Sequence, residues 1–181
     1  GTMLLNNREL TEARKVLNIA VNIDPNYEKA YIALGKVEQE LGNLDLAILN
    51  YIKATEIAPK LYDVHYRLAS VYNIKKQYEQ AIQCYHHALE VAQEHGYLQY
   101  IAMSYEALSQ VYLKQGNQSH YQQAHQQAID AYLAWGATEK VFSSIMENAP
   151  KMENLSLLFT HTNLVSSSKK ETLLKKVTKS A

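Results

Sequence analysis

Apolar and polar positions recur along this chain with the period of an α-helix, interrupted at short intervals by residues that end helices. Over residues 10–23, Leu10, Ala13, Val16, Leu17, Ala20 and Val21 fall at helical spacing. Asp24-Pro25-Asn26 breaks the pattern: Pro25 cannot continue a helix, and Asn26 can cap the next one. The same reading predicts helices over about 27–41, 44–58, 62–75, 78–94, 98–115 and 120–135. Gly42-Asn43, Gly96, Gly116-Asn117 and Gly136 supply stops, because glycine accepts left-handed backbone just past a helix end. Asn43 is expected to cap the helix that follows it, and Lys76-Gln77 stands where one Gly-Asn turn is missing. Gly35 lies inside a helix, where it costs about 1 kcal/mol relative to Ala, and so implies a close approach by another backbone.

The helices repeat in pairs. Ala13, Ala47 and Ala81 are 34 residues apart, as are Ala20, Ala54 and Ala88. Pro25 precedes Pro59, and Leu34 precedes Leu68, by the same step. A fixed period of this length signals stacked helix–turn–helix units. A small residue on one helix receives a large one from its partner, so the pair nests closely; no unit buries its apolar face without a neighbour. Past Leu68 the step lengthens: Leu68 to Leu108 is 40 residues and Ala81 to Ala124 is 43. Six extra residues are expected to lengthen the helices around Ala92–Tyr100, and three more to fall in the turn at Gln118–His120.

Residue by residue, the pattern resembles the tetratricopeptide repeat, whose 34-residue signature is W-x2-L-G-x2-Y, then A-x3-F, then P. One unit reads Tyr31-x2-Leu34-Gly35-x2-Glu38, Ala47-x3-Tyr51, Ala54 and Pro59. The next reads His65-x2-Leu68-Ala69-x2-Tyr72, Ala81-x3-Tyr85 and Ala88. A third reads Tyr105-x2-Leu108-Ser109-x2-Tyr112, Gly116, Ala124, Ala128 and Ala131. The first unit keeps only its back half, and Gly1 falls at the family's glycine place, so the chain is expected to begin partway through a first helix, as a piece of a longer protein. The resemblance implies an all-α fold, a right-handed solenoid over 1–136. Its parts are a partial repeat at 1–27 and repeats at 28–61, 62–96 and 97–136. Residues 137–149 are the expected capping helix, and 150–181 a C-terminal helical extension ending in a basic tail. A second, shorter resemblance links residues 132–141, through Trp135-Gly136-Ala137 and Lys140-Val141, to the end of the helical-repeat region of large multidomain bacterial signalling kinases.

In the tetratricopeptide family the first helix of each unit lines a concave groove. Carried over by position, the partner-binding residues are Lys29, Ile32, Lys36 and Gln39 in one unit and Asp63, Tyr66, Ser70 and Asn73 in the next. In the third they are Met103, Glu106 and Gln110, with Ile32, Tyr66 and Met103 as apolar anchors. Some members clamp a peptide's terminal carboxylate with Lys, Asn and Arg. Here Ile32 replaces the expected Lys, and Lys36 and Ser70 stand where Asn would help.

Composition narrows the chemistry. Eighteen basic residues balance eighteen acidic ones, which argues against a phosphate-backbone partner. The balance is uneven along the chain: residues 151–181 carry six Lys against two Glu. A single cysteine, Cys84, rules out a disulfide framework within the chain and fits a reducing, cytoplasmic compartment. No apolar run approaches the ~20 residues of a membrane span. Fourteen tyrosines against two phenylalanines suit helix-pair interfaces where the ring packs and the hydroxyl reaches water.

His86-His87 point about 100° apart on a helix, and His120 and His125 have no acidic or thiol partner at helical spacing, so neither pair makes a metal site. His65, at the family's tryptophan place, reads as a packed ring. Cys84 reads as an inert buried thiol. There is no phosphate loop, no nucleophile elbow and no catalytic constellation. The sequence thus predicts no enzyme, metal or cofactor. It predicts a scaffold for a protein or peptide partner, with self-association through end helices as a further class. The alternative is a regulatory segment of a larger signalling enzyme.

Overall fold

A computed structural model describes residues 2–137, with side chains from Asn7 onward. The expected capping helix beyond Ala137 and the extension at 150–181 lie outside the described residues. Seven helices follow one another: α1 (Thr2–Ile23), α2 (Glu28–Glu40), α3 (Leu44–Ile57), α4 (Tyr62–Ile74), α5 (Tyr78–Glu94), α6 (Leu98–Lys114) and α7 (Gln118–Trp135). No strand occurs among the described residues. Each helix packs on the next, and α4 also touches α6, so the first helices of successive units lie side by side as a helical-repeat solenoid requires.

The helix ends follow the chain's stop residues. After α2 the N–H of Gly42 donates to the carbonyl of Gln39 (3.1 Å) and that of Asn43 to Glu38 (2.8 Å). This is the paired hydrogen bonding that a left-handed residue makes available past a helix end. The same pair of bonds closes α4, α5, α6 and α7. Glycine is the left-handed residue in four of these turns; in the fifth, Lys76 adopts φ 60°. The turn is therefore kept at Lys76-Gln77 although the sequence lacks its glycine there.

The starts differ from expectation. Asn43 does not cap α3: its side-chain amide donates instead to Oε2 of Glu38 (2.7 Å). Asn26 does not cap α2 either; its N–H donates to Oδ1 of Asp24 in the turn, and Tyr27 precedes the helix. Asn117, read only as part of a helix stop, does cap: its side chain accepts a bond from the N–H of His120 in the helix it precedes (3.2 Å). The residues expected as a turn at Gln118–His120 are instead the first turn of α7. Three residues make nearly one helical turn, so adding them inside the helix leaves its buried face nearly in register. The six-residue insertion is found where expected: α5 and α6 have 17 residues each, against 13 in α4 and 14 in α3.

The stripe read from Leu10 belongs to a longer helix: α1 runs unbroken through Arg8-Glu9, which are helix formers with no glycine to stop it. Among the described residues α1 has no first-helix companion. Ala13 and Ala20 are accordingly only half-buried, whereas Ala47, Ala54, Ala81 and Ala88 are fully buried.

The buried alanines mark the joints. Ala47, Tyr51 and Ala54 pack with Val64, Leu68 and Val71 in one core; Ala69, Ala81 and Tyr85 pack with Leu108, Val111 and Ala124 in the next. A Cβ on Gly35 would lie 2.5 Å from Cε1 of Tyr51 and 2.6 Å from Cδ1. The close approach foreseen at Gly35 is thus made by a ring rather than by backbone. Tyr51 is fully buried, so its ring cannot step aside, and its hydroxyl meets Oε1 of Gln39 (3.3 Å) instead of water. Ala69 and Ser109 hold the same small place in later units; the Ser109 hydroxyl returns to the Glu106 carbonyl (2.7 Å).

Glu38 stands where the later units have Tyr72 and Tyr112. It is buried, held by Asn43 and by Nη1 of Arg14 at 3.8 Å, which ties α1 to the α2–α3 pair. A buried carboxylate persists only when partnered in this way.

Gly35→Ala is expected to destabilise the protein, because overpacking costs roughly 1–3 kcal/mol while the helix-propensity gain returns only about 1. In a Tyr51→Leu background, with the ring gone, the same substitution should become stabilising. Urea unfolding of the four variants checks this sign change; an equal effect in both backgrounds refutes the ring contact.

Candidate functional site

The side of the solenoid formed by α2, α4 and α6 carries the residues singled out from the sequence. Five of them line one cleft of about 590 Å³: Gln39, Asp63, Tyr66, Ser70 and Met103. A cavity of this size is within the range of small-molecule and side-chain binding pockets. The other six lie off it. Lys29 and Gln110 are exposed, Lys36 is half-exposed, and Ile32 is partly buried against the Tyr51–Leu68 core. Asn73 accepts from Nζ of Lys114 across the unit boundary (3.1 Å). Glu106 accepts from the hydroxyl of Tyr132 at 2.5 Å and so fastens α6 to α7.

The remaining cleft wall was not singled out from the sequence. Besides Lys60, Arg67 and Val91, it comes from the turns before α4 and α6 and the first residues of those helices, through Leu61, Tyr62, His95, Tyr97 and Tyr100. These rings form a chain. His95 stacks on Tyr97 (5.4 Å between centroids), Tyr97 meets Tyr100 edge-on (5.7 Å), and Tyr100 stacks on Tyr62 (4.4 Å, 8° between planes). Tyr62 continues to Tyr66 (5.6 Å) and Tyr66 to Tyr85 (5.3 Å). The inner members are buried, and burial pushes the phenols of Tyr62 and Tyr85 well above their usual range. Tyr51, behind them, is pushed up to about 12, also by burial. All three stay protonated and neutral at physiological pH. The hydroxyls of Tyr62 and Ser104 are buried and close enough to interact, without a well-formed hydrogen bond.

The charges of the cleft are matched to one another. Nε of Arg67 donates to Oδ2 of Asp63 (2.8 Å), and Nζ of Lys60 to Oε2 of Glu94 (3.3 Å), the latter joining residues one repeat apart. Such exposed pairs contribute little to stability, but they leave the cleft without a strong net charge.

His65 is half-buried and its Nε2 lies 2.7 Å from the carbonyl oxygen of Pro59, so the ring holds the turn before α4. Burial pushes the Cys84 thiol up to about 11, which keeps it protonated and unreactive at neutral pH. Among the described residues no helix is long and apolar enough to cross a membrane.

Two models of the tetratricopeptide repeat match the chain, over residues 28–61 and 61–134, together more than half of its length. No curated protein sequence matches it significantly. Among solved structures it is similar to the N-terminal domain of stress-induced protein-1 (STI-1) from C. elegans. That likeness has 23% identity and a TM-score of 0.57, over 63% of this chain and 91% of the other. It is similar also to MamA, at 18% identity and a TM-score of 0.61, over 76% of this chain and 85% of the other. A further MamA structure gives 17% identity and 0.61, over 79% and 69%. At these identities the likeness concerns the fold.

His125, on α7, faces the same α6–α7 joint as Glu106. Burial lowers its pKa below 6.5, with Glu106 pulling the other way. A base whose folded pKa is depressed stabilises the fold fully above its unfolded value and loses that contribution as pH falls toward the folded one. His125→Gln is therefore expected to flatten the part of the stability–pH curve just below about 6.5. Thermal melts of both proteins from neutral to mildly acid pH measure this; parallel curves would count against it.

Proposed function

The chain belongs to the tetratricopeptide repeat family, and on that premise we propose that it is a noncatalytic scaffold that holds a protein or peptide on the α2–α4–α6 side. The observation that carries the proposal is the gathering of Gln39, Asp63, Tyr66, Ser70 and Met103, from three different units, around one cleft. Tyr66 and Met103 supply apolar contact there, while Gln39 and Ser70 supply hydrogen-bonding groups for a backbone. A few such anchors carry most of the energy of an interface. With its charges paired internally, the cleft suits a protein segment better than a nucleic-acid backbone, which would seek unpaired Lys and Arg.

The regulatory-segment alternative has no comparable support. Of residues 132–141 the described part is the end of α7 and its closing turn, a role that any helix end in such a stack plays.

A second surface supports self-association. Val16, Ile19 and Ile23 are 65%, 59% and 80% exposed and share one stripe of α1. Three large apolar residues in a row on one helix face make a patch that a second copy could cover. Light scattering across concentration is expected to show mass increasing with concentration, and Ile19→Lys with Ile23→Lys to abolish the increase. A monomer at every concentration rules this surface out.

For the cleft, Tyr66→Ala combined with Lys36→Glu is expected to weaken partner capture at least about tenfold, as loss of one good anchor does, while the helical circular dichroism is kept. Affinity capture followed by mass spectrometry identifies the partner and measures the loss. Undiminished capture by the folded double variant contradicts groove binding.

A further inference from the structure

The groove reading leaves open what chemistry the partner has, and the ring chain narrows it. Tyr97 and Tyr100 remain 49% and 38% exposed, although both belong to a continuous series of rings that ends in the buried Tyr85. They are carried by the residues inserted beyond the 34-residue step, so among the described residues this aromatic wall occurs at one unit boundary. The corresponding turn before α2, Asp24-Pro25-Asn26-Tyr27, has a single ring. Leu61 (39% exposed) adds apolar surface beside it. The cationic and anionic groups of the cleft are already paired: Arg67 with Asp63, and Lys60 with Glu94. The preferred occupant is therefore uncharged and offers flat apolar faces together with open carbonyl acceptors.

We propose that the cleft between the turn before α4 and the turn before α6 binds an uncharged, proline-rich segment in the polyproline II conformation. The inference rests on the groove reading above and assigns that groove a ligand class. A polyproline II helix has no internal hydrogen bonds, so its carbonyls stay open to tyrosine hydroxyls and to the amide of Gln39. Its proline rings pack on aromatic faces, and it arrives already extended, with little conformational entropy left to lose. Tyr97 and Tyr100, in edge-on contact and still partly exposed, are the rings against which a proline ring would pack.

The test is calorimetric titration of the full chain with a synthetic octaproline peptide, beside a glycine–serine peptide of equal length. The expected result is saturable binding of octaproline and none of the glycine–serine control. Tyr97→Ala and Tyr100→Ala should each weaken it about tenfold with unchanged helicity, and Tyr97→Phe by much less, because the ring is kept. Equal behaviour of the two peptides, or octaproline binding indifferent to Tyr97→Ala and Tyr100→Ala, overturns the proposal. Peptide display on the same protein separates the two levels. Enrichment of charged or helical sequences that are lost with Tyr66→Ala plus Lys36→Glu sinks the proline inference and keeps the groove. Enrichment of nothing sinks both.

Discussion

The Tyr51 ring lies against the backbone of Gly35, and the spacing of the α2–α3 pair is set by that contact. A side chain on Gly35 would occupy the space of the ring, and a smaller residue at Tyr51 would leave a void that close-packed interiors do not tolerate cheaply. The neighbouring small residue, Ala47, lets the helices approach along the rest of the joint. In the next pair Ala69 and Tyr85 share a core in the same relation. Because each pair is held at its own fixed spacing, α2, α4 and α6 come to stand side by side, and residues far apart in sequence reach one cleft. The binding surface is thus a consequence of packing between units rather than of any local motif.

Much of this was legible in the chain because it is periodic. The Ala47–Ala81 step located the joints, and Gly42, Gly96, Gly116 and Gly136 located the ends of helices. Capping was less legible. Asn43 has the residue type of a cap, but the carboxylate of Glu38 needed a partner in the interior and took its side chain. A buried charge outbids a helix start that water can satisfy, and a sequence does not show which groups become buried. The closing turns were read by analogy with Gly42-Asn43. At Lys76 the analogy held, since the surrounding pair of helices imposes the turn even on a residue that resists left-handed backbone.

The candidate site divides along the same line. Gln39, Asp63, Tyr66, Ser70 and Met103 were found by position within the unit, and regular units do place them on one side. Asn73 and Glu106 hold equivalent positions, yet each is occupied by a neighbour, Lys114 or Tyr132, that periodicity does not specify. Tyr97 and Tyr100 were missed because they sit in the insertion, outside any position the repeat defines. The surplus of tyrosine over phenylalanine was the available signal, and general helix-pair packing explained it too readily. Irregularity in a repeat protein is where individual character is written, and here it builds the aromatic wall.

The contact between Tyr51 and Gly35 is open to direct observation. In a proton NMR spectrum of the isotopically labelled chain, the α-protons of Gly35 are predicted to lie well upfield of those of the other glycines, shielded by the Tyr51 ring. They are also predicted to show cross-relaxation with its ring protons. Gly35 α-protons at ordinary glycine positions, with no cross-peak to Tyr51, would contradict the packing on which the solenoid and its cleft depend.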